Sequence, residues 1–85
     1  MHPVPTILRF GGLRVVIYLN DHRPAHVHVI GRTASAAIDL HCPHGPPVVR
    51  ERYGLKSSQL KRIEAAIAAE LPRLCRKWEE IHGKP

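Results

Sequence analysis

The stretch that organises the chain is a polar turn leading into a short strand, and it reads Asn20-Asp21-His22-Arg23-Pro24-Ala25-His26-Val27-His28. Residues 20–24 are rich in turn formers, and Pro24 has no N–H to donate to a β-ladder, so a preceding strand must end there. Over residues 25–30, valines alternate with histidines, which is the period of a strand with one apolar face. The sequence therefore predicts a turn followed by a strand that carries two histidines on one side.

Further strands are predicted on both sides of this stretch. Residues 13–20 alternate between apolar and polar, and their apolar face is made of Leu13, Val15, Ile17 and Leu19. Turns are expected at Gly11-Gly12 and at Gly31-Arg32-Thr33. The remaining segments are a short extended stretch at 4–8, a strand at 34–40 and a short edge strand at 48–52.

The register between the histidine strand and the next strand follows from the apolar pattern. A one-residue slip moves every side chain of a strand to the other face. An even-numbered loop after Ile30 places Val27 and Val29 on the side of Ile38, so the hydrophobic set selects the even loop. The opposite face then carries His26, His28, Ser35, Asp39 and His41, and Arg14 and Tyr18 join it if the first two strands match their apolar sides.

The C-terminal third is predicted to be helical, because apolar residues recur there at spacings of three and four. They are Leu60, Ile63, Ile67, Leu71, Leu74, Trp78 and Ile81. Ser57 or Ser58 is the expected N-cap and Gly83 the expected stop. Pro72 interrupts the pattern, which predicts a kinked helix or two helices joined near Glu70-Leu71.

These elements predict an α+β fold as one domain over residues 1–85. A small antiparallel sheet of three to four strands is expected to be covered on its apolar face by the C-terminal kinked helix or helix pair. A chain of 85 residues builds only a thin core. We expect Trp78 to pack in it with Leu74, Ile67 and the strand residues Val15 and Ile17.

The composition favours certain classes of partner but does not choose among them. The chain has 13 Lys+Arg and 7 Asp+Glu, a formal charge of +6, and its basic residues are spread along the chain. Such a field favours polyanions, acidic partners or simple solubility. Nucleic acid is therefore a possible partner, although the few aromatic residues argue against a base-stacking platform.

The location of the protein is predicted from its cysteines and its hydropathy. Cys42 and Cys75 show no framework spacing and are interpreted as free thiols in a reducing compartment. No apolar run approaches the length of a membrane span, and the N-terminus lacks a signal-peptide pattern. A cytoplasmic protein with no membrane partner is expected.

The chemistry of the chain concentrates on the histidine strand. Residues i and i+2 of a strand lie about 7 Å apart on one face, so His26 and His28 can converge on a zinc ion or a phosphate. His22 is a candidate third ligand, and Asp39 is a candidate ligand or orienting group. The same histidines suit acid–base catalysis. Alternatively, they simply hydrogen-bond to the turn, to Asp39 or to water.

Two other groups of residues have plainer interpretations. His41, Cys42 and His44 have soft-ligand chemistry and could borrow His26 for zinc, but their spacing matches no closed zinc pattern. Cys75 is interpreted as a small buried hydrophobe. The helical region has a basic surface of Lys61, Arg62, Arg73, Arg76 and Lys77, which could track a phosphate backbone. Glu64, Glu70, Glu79 and Glu80 interrupt it, which favours a solvated face with local ion pairs.

Several of these segments together resemble a known family. They are the run Pro5-Thr6-Ile7-Leu8-Arg9-Phe10, the Asp-His-x-Pro-x-His-x-His pattern at 21–28, the Ile38-Asp39 pair and the closing helix with Trp78. The chain resembles the bacterial domain of unknown function family 4160 from Pro5 to Trp78, and the histidine pattern is the most specific part. The resemblance implies a small cytoplasmic α+β protein, often encoded beside a second small protein in a layout suggestive of a toxin–antitoxin pair.

The family pattern carries over by position to Asp21, His22, Pro24, His26 and His28. The chain departs from it at Ala25, where a second proline is common, at Val27, where an aromatic is common, and in the Cys42 loop and Pro72. No biochemical activity comes with the resemblance. The function expected is a binding or regulatory component of a toxin–antitoxin-like module, whose partner is a small protein encoded nearby. The alternatives are a nuclease or hydrolase using His22, His26 and His28, and a purely structural subunit.

Overall fold

The computed structural model describes residues 6–85, which form five strands followed by two helices. The elements are β1 (Thr6–Phe10), β2 (Leu13–Val16), β3 (His26–Ile30), β4 (Ser35–Asp39), β5 (Val48–Tyr53), α1 (Ser57–Ala69) and α2 (Leu71–His82). The strands form one antiparallel sheet in the order β1-β2-β3-β4-β5. The predicted α+β class is confirmed. Neither helix of the described residues is long and apolar enough to cross a membrane.

The sheet has one strand more than the upper count predicted. Residues 6–8 were expected only as part of an extended stretch, but the strand Thr6–Phe10 pairs with β2 from Phe10 opposite Leu13 to Thr6 opposite Val16. Val4 and Pro5, which belonged to that predicted stretch, lie outside the described residues. The predicted edge strand at 48–52 is confirmed as β5, whose only neighbour in the sheet is β4.

The predicted register between β3 and β4 is confirmed. Ile30 pairs with Ser35 across a four-residue loop, so Val27 lies opposite Ile38 and His26 opposite Asp39. On the other side of β3, Val16 pairs with His28 and Arg14 with Ile30. Because paired residues point to the same side of a sheet, the histidines share their face with Arg14, Ser35 and Asp39.

The first predicted strand ends earlier than expected. β2 stops at Val16, and Leu19, which was expected on the apolar face, is 58% exposed. The cause is the turn that follows, in which the carboxylate of Asp21 accepts a hydrogen bond from the Tyr18 N–H at 2.9 Å. A backbone donor held by a side chain is no longer available to a β-ladder.

The two helices pack on the apolar face of the sheet. Buried residues of both helices join Val15, Val27, Val29 and Ile38 in one core cluster, which includes the fully buried Trp78. The predicted break between the helices is confirmed, since α1 ends at Ala69, α2 begins at Leu71, and Pro72 lies in the first turn of α2. Gly83 ends α2 with a positive φ of 80°, a conformation that glycine adopts without strain.

The predicted serine cap is wrong. α1 begins at Ser57, and its N-cap is Lys56, whose backbone N–H donates to Gln59 Oε1 at 2.9 Å. The Gln59 amide three residues into the helix thus supplies the reciprocal half of a capping box. Ser57 and Ser58 lie inside the helix rather than before it.

The interpretation of the cysteines as free thiols is also wrong. Cys42, in the loop after β4, and Cys75, on α2, form a disulfide with their Cα atoms 5.8 Å apart. Cys42 is therefore excluded from the zinc group proposed for it with His41 and His44. The expectation of a reducing compartment loses the support that free thiols gave it. Cys75 is buried, as predicted, but as half of a covalent link between loop and helix.

Candidate functional site

The site begins with the turn between β2 and β3, which fixes the carboxylate of Asp21. The Tyr18 N–H donates to Asp21 Oδ2 at 2.9 Å, and the Asp21 N–H donates to the Tyr18 carbonyl at 3.1 Å. These reciprocal bonds close the turn and determine the orientation of the carboxyl group. The second oxygen, Oδ1, is thereby directed at the two histidines of β3.

Asp21 Oδ1 is shared between the two imidazoles. His28 Nε2 donates to it at 3.1 Å, and His26 Nε2 lies 3.4 Å from the same atom. The other ring nitrogen of His26, Nδ1, donates to the Pro24 carbonyl at 2.8 Å. Three candidate ligand atoms, one from each residue, all lie within 4.8 Å of one another. We call Asp21, His26 and His28 the Asp-His-His site.

Aromatic rings enclose both histidines. The Tyr18 ring tilts over His28 with centroids 4.7 Å apart, and the Trp78 ring contacts His26 at 5.3 Å. Trp78 is held in turn by its indole N–H, which donates to the Lys84 carbonyl at 3.1 Å. His82 stacks on Trp78 at 4.3 Å and donates from Nε2 to the Tyr18 carbonyl at 3.0 Å. The end of α2 is thus anchored to the same turn that orients Asp21.

The two histidine rings differ in how far they are exposed. His28 keeps 27% of its side chain exposed, whereas His26 keeps 7%. The register prediction holds, yet the His26 ring is buried against α2, which was not expected. Alternation along a strand predicts the face on which His26 lies. It does not predict that Trp78 of α2, which is distant in the sequence, covers that ring.

Of the other predicted site residues, Tyr18 contacts this group, whereas His22, Asp39 and Arg14 lie apart from it. His22 is exposed on the turn and is not among the three clustered residues. Asp39 lies across from His26 on β4, but its Oδ1 pairs with Arg50 Nη2 at 3.0 Å. Arg14 lies on the same face as the histidines, but it is paired with Ile30 rather than with His28.

The loop after β4 does not contribute to the site either. His41 was expected to continue the alternation of β4, but the strand ends at Asp39 and His41 has a positive φ of 53°. Its Nδ1 donates to the Pro46 carbonyl at 2.9 Å, within its own loop. The change of backbone conformation therefore takes His41 out of the predicted polar face.

His28 opens into a groove on the sheet. The groove has a volume of about 270 Å³. Its lining includes Tyr18, His28, Ser35, Ala37, Glu51 and Tyr53. The floor of the groove is formed by small side chains: Ala37 lies opposite His28, and Ser35 lies opposite Ile30. We call this side of the sheet, away from the helices, the open face.

The environment of Asp21 favours its ionised form. Burial of the carboxyl group raises its pKa, but the hydrogen bonds from His28 and from the Tyr18 N–H, together with the charges of His28 and His26, outweigh burial. The pKa of Asp21 is therefore below its ordinary value. The carboxylate is the fixed negative charge of the Asp-His-His site.

This shift predicts an acid-sensitive contribution of Asp21 to stability. An unfolded aspartate titrates near pH 3.9, above the lowered pKa of folded Asp21, so the unfolded chain binds more protons between the two values. The stabilisation is present above about pH 4 and is lost as the pH falls through the folded pKa. We expect Asp21→Asn to flatten the rise of unfolding free energy with pH between about pH 2 and 5. Urea denaturation across that range measures it, and an exposed-carboxylate variant, Glu79→Gln, should keep the wild-type slope.

Fold and site together define a small α+β protein with a partly buried aspartate–histidine group beside an open sheet face. The chain belongs to the family described as Domain of unknown function (DUF4160), whose model matches residues 12–79. That range includes the Asp-His-His site and Trp78, whereas β1 lies before it. Searches of curated proteins and of solved structures returned no significant match.

The sequence did not single out the support that the site receives from α2. His82 was not among the candidates, although it contacts both Trp78 and the Tyr18 carbonyl. A histidine in the last turn of a helix is ordinarily explained by the helix dipole. The sequence holds no signal that this turn of α2 reaches the loop before β3.

Proposed function

We propose that the protein is the binding or regulatory member of a two-protein module of the toxin–antitoxin kind, and that its partner docks on the open face. The observation that carries the proposal is the exposed apolar surface along β5. Tyr53 is 67% exposed and Val48 is 47% exposed, and both point to the open face through their pairing with Ser35 and Asp39. Exposed apolar side chains beside a groove are typical of protein interaction sites.

The position of β5 adds to this support. Among the strands of residues 6–85 it pairs only with β4, so within that part of the chain its other side has backbone donors and acceptors without a strand partner. An extended segment of a partner can add to such an edge while its side chains enter neighbouring pockets. The groove between Tyr18 and Tyr53 lies next to that edge.

A protein partner is favoured over nucleic acid by the charges around these features. The groove contains Glu51, and the nearby Arg50 is paired with Asp39. On the helices, Arg73 pairs with Glu70 at 3.7 Å and Lys77 with Glu80 at 3.2 Å. These pairs reduce the free positive charge that a phosphate backbone would need.

The catalytic alternative is less well supported by the site. A histidine acid–base pair needs one imidazole to accept and one to donate a proton at the same substrate. His28 lines the groove, but His26 is buried against Trp78. The geometry therefore favours a role for the histidines in binding or in shaping the surface.

The test uses the protein encoded by the adjacent reading frame, co-purified with this chain. Truncating an interface tyrosine commonly costs about 2 kcal/mol, so Tyr53→Ser should weaken the complex about thirtyfold in calorimetry. Arg52→Ser is the matched control, because Arg52 is exposed on the same strand and points to the opposite side. Absence of a complex, or equal weakening by both variants, would contradict the proposal.

A growth assay separates the binding role from the catalytic one. We expect no arrest when the protein is expressed alone. Arrest that the neighbouring protein relieves, and that His28→Ala abolishes, would instead support a toxin using His28.

A further inference from the structure

The geometry points to a divalent transition-metal site, and we propose that Asp21, His26 and His28 bind one Zn²⁺ through Asp21 Oδ1 and the two Nε2 atoms. The inference concerns the isolated chain and does not depend on partner binding. It replaces the ligand set expected from the sequence, since His22 is exposed and outside the cluster and Asp39 is paired with Arg50.

Two of the three distances between the candidate ligand atoms are close to those of a tetrahedral site. Zinc binds histidine nitrogen and carboxylate oxygen at about 2.0–2.2 Å, which puts neighbouring ligand atoms of a tetrahedral site about 3.3–3.6 Å apart. Asp21 Oδ1 lies 3.4 Å from His26 Nε2 and 3.1 Å from His28 Nε2. Small adjustments of the side chains would complete the site, because all three atoms already lie within 4.8 Å.

The pair of contacts made by the His26 ring is the second observation that favours a cation here. A carbonyl oxygen can only accept, so the 2.8 Å bond to Pro24 places a proton on His26 Nδ1. In the neutral imidazole, Nε2 then carries a lone pair, and that lone pair faces the carboxylate of Asp21 at 3.4 Å. His26 is nine-tenths buried, so this close approach of two acceptors is favourable only with a cation between them. A metal ion bound to both atoms is one such cation and a proton on Nε2 is the other, and titration with zinc distinguishes them.

The groups around the ligands match the supporting partners of protein metal sites. Metal-bound histidines usually donate their second N–H to a carbonyl or carboxylate, as His26 does to Pro24. The ligating carboxylate is itself held by the Tyr18 N–H through Oδ2, which leaves Oδ1 for the ion. Trp78 and Tyr18 fix the two ring planes.

The fourth coordination position of the ion would face the groove beside His28. His28 is the ligand that borders the groove, so an ion bound there would face the open side through the His28 edge. Three protein ligands leave one position for water, as in open zinc sites. Imidazole and carboxylate ligands suit zinc among the divalent metals, and we choose it as the probe.

The experiment titrates the chelator-treated, dialysed protein with ZnCl₂ by calorimetry and with CoCl₂ by absorption spectroscopy. We expect one equivalent of zinc per chain and the visible bands of tetrahedral Co²⁺. Asp21→Asn and His28→Gln should each weaken zinc binding by about a hundredfold or more, since even outer partners of a metal site contribute about 10–100-fold. These variants spare the buried His26, and circular dichroism verifies that they fold.

The matched control is His22→Ala, which removes an exposed histidine from the same turn. We expect its zinc affinity to remain within about threefold of wild type, because His22 is outside the cluster. Absence of saturable binding by wild type would overturn the inference. Binding that survives Asp21→Asn and His28→Gln, or that is lost in His22→Ala, would also overturn it and assign the metal to surface histidines.

Discussion

Replacement of Trp78 by alanine is expected to lower the free energy of unfolding by about 3–5 kcal/mol, the typical cost of removing a fully buried tryptophan. Trp78 has no exposed surface and belongs to the cluster that joins both helices to the sheet. Its indole N–H also donates to the Lys84 carbonyl, and its ring contacts His26 and His82. The substitution therefore leaves a cavity and removes the wall of the Asp-His-His site.

Urea denaturation followed by far-ultraviolet circular dichroism measures this loss, because Trp78 is the only tryptophan and its fluorescence disappears with it. Trp78→Phe serves as the comparison, since it keeps an aromatic ring but loses the hydrogen bond and part of the volume. We expect it to cost less, about 1–3 kcal/mol. A loss below about 1 kcal/mol in Trp78→Ala would show that the packing around this ring contributes little.

The sheet was predictable where one face is buried. The alternation of Val27 and Val29 with histidines selects a single register against β4, and the structure has that register. The helix pair was predictable for a similar reason, since the apolar spacing continues past Pro72 and a proline fits the first turn of a helix. Both inferences rest on the regular spacing of apolar residues along a strand or a helix.

Side chains in turns were harder to predict, because a turn has no period. Asp21 was a signature residue, but nothing in its position showed that it, rather than Asp39, would meet both histidines. That outcome depends on the Tyr18 N–H, which holds one oxygen and directs the other. The same bond shortens β2 and exposes Leu19.

The burial of His26 and the disulfide depend on the placement of α2. Trp78 reaches His26, and Cys75 meets Cys42, only because α2 has one particular position relative to the sheet. Helical spacing gives the apolar side of α2 but not its position along the sheet. Cysteines 33 residues apart carry no framework signal in such a chain.

Removal of the Cys42–Cys75 disulfide is expected to destabilise the fold by about 3–4 kcal/mol. The closed loop spans a separation of 33 residues, and the entropy that such a cross-link removes from the unfolded chain corresponds to about that amount. The loop contains β5 and α1, so the bond also ties the edge strand and first helix to α2. We expect the double variant Cys42→Ala/Cys75→Ala to unfold at a lower urea concentration than oxidised wild type.

Reduction of the wild-type protein provides the control for this last prediction. With excess dithiothreitol, wild type should lose most of the same free energy, whereas the double variant should be indifferent to the reductant. The two measurements separate the cross-link from the small cavity that alanine leaves at the buried Cys75. If dithiothreitol reduced the bond, as verified by thiol counting, without changing the urea midpoint, the loop would be held by its packing alone. The entropy of the unfolded chain would then not be the reason that Cys42 and Cys75 matter to the fold.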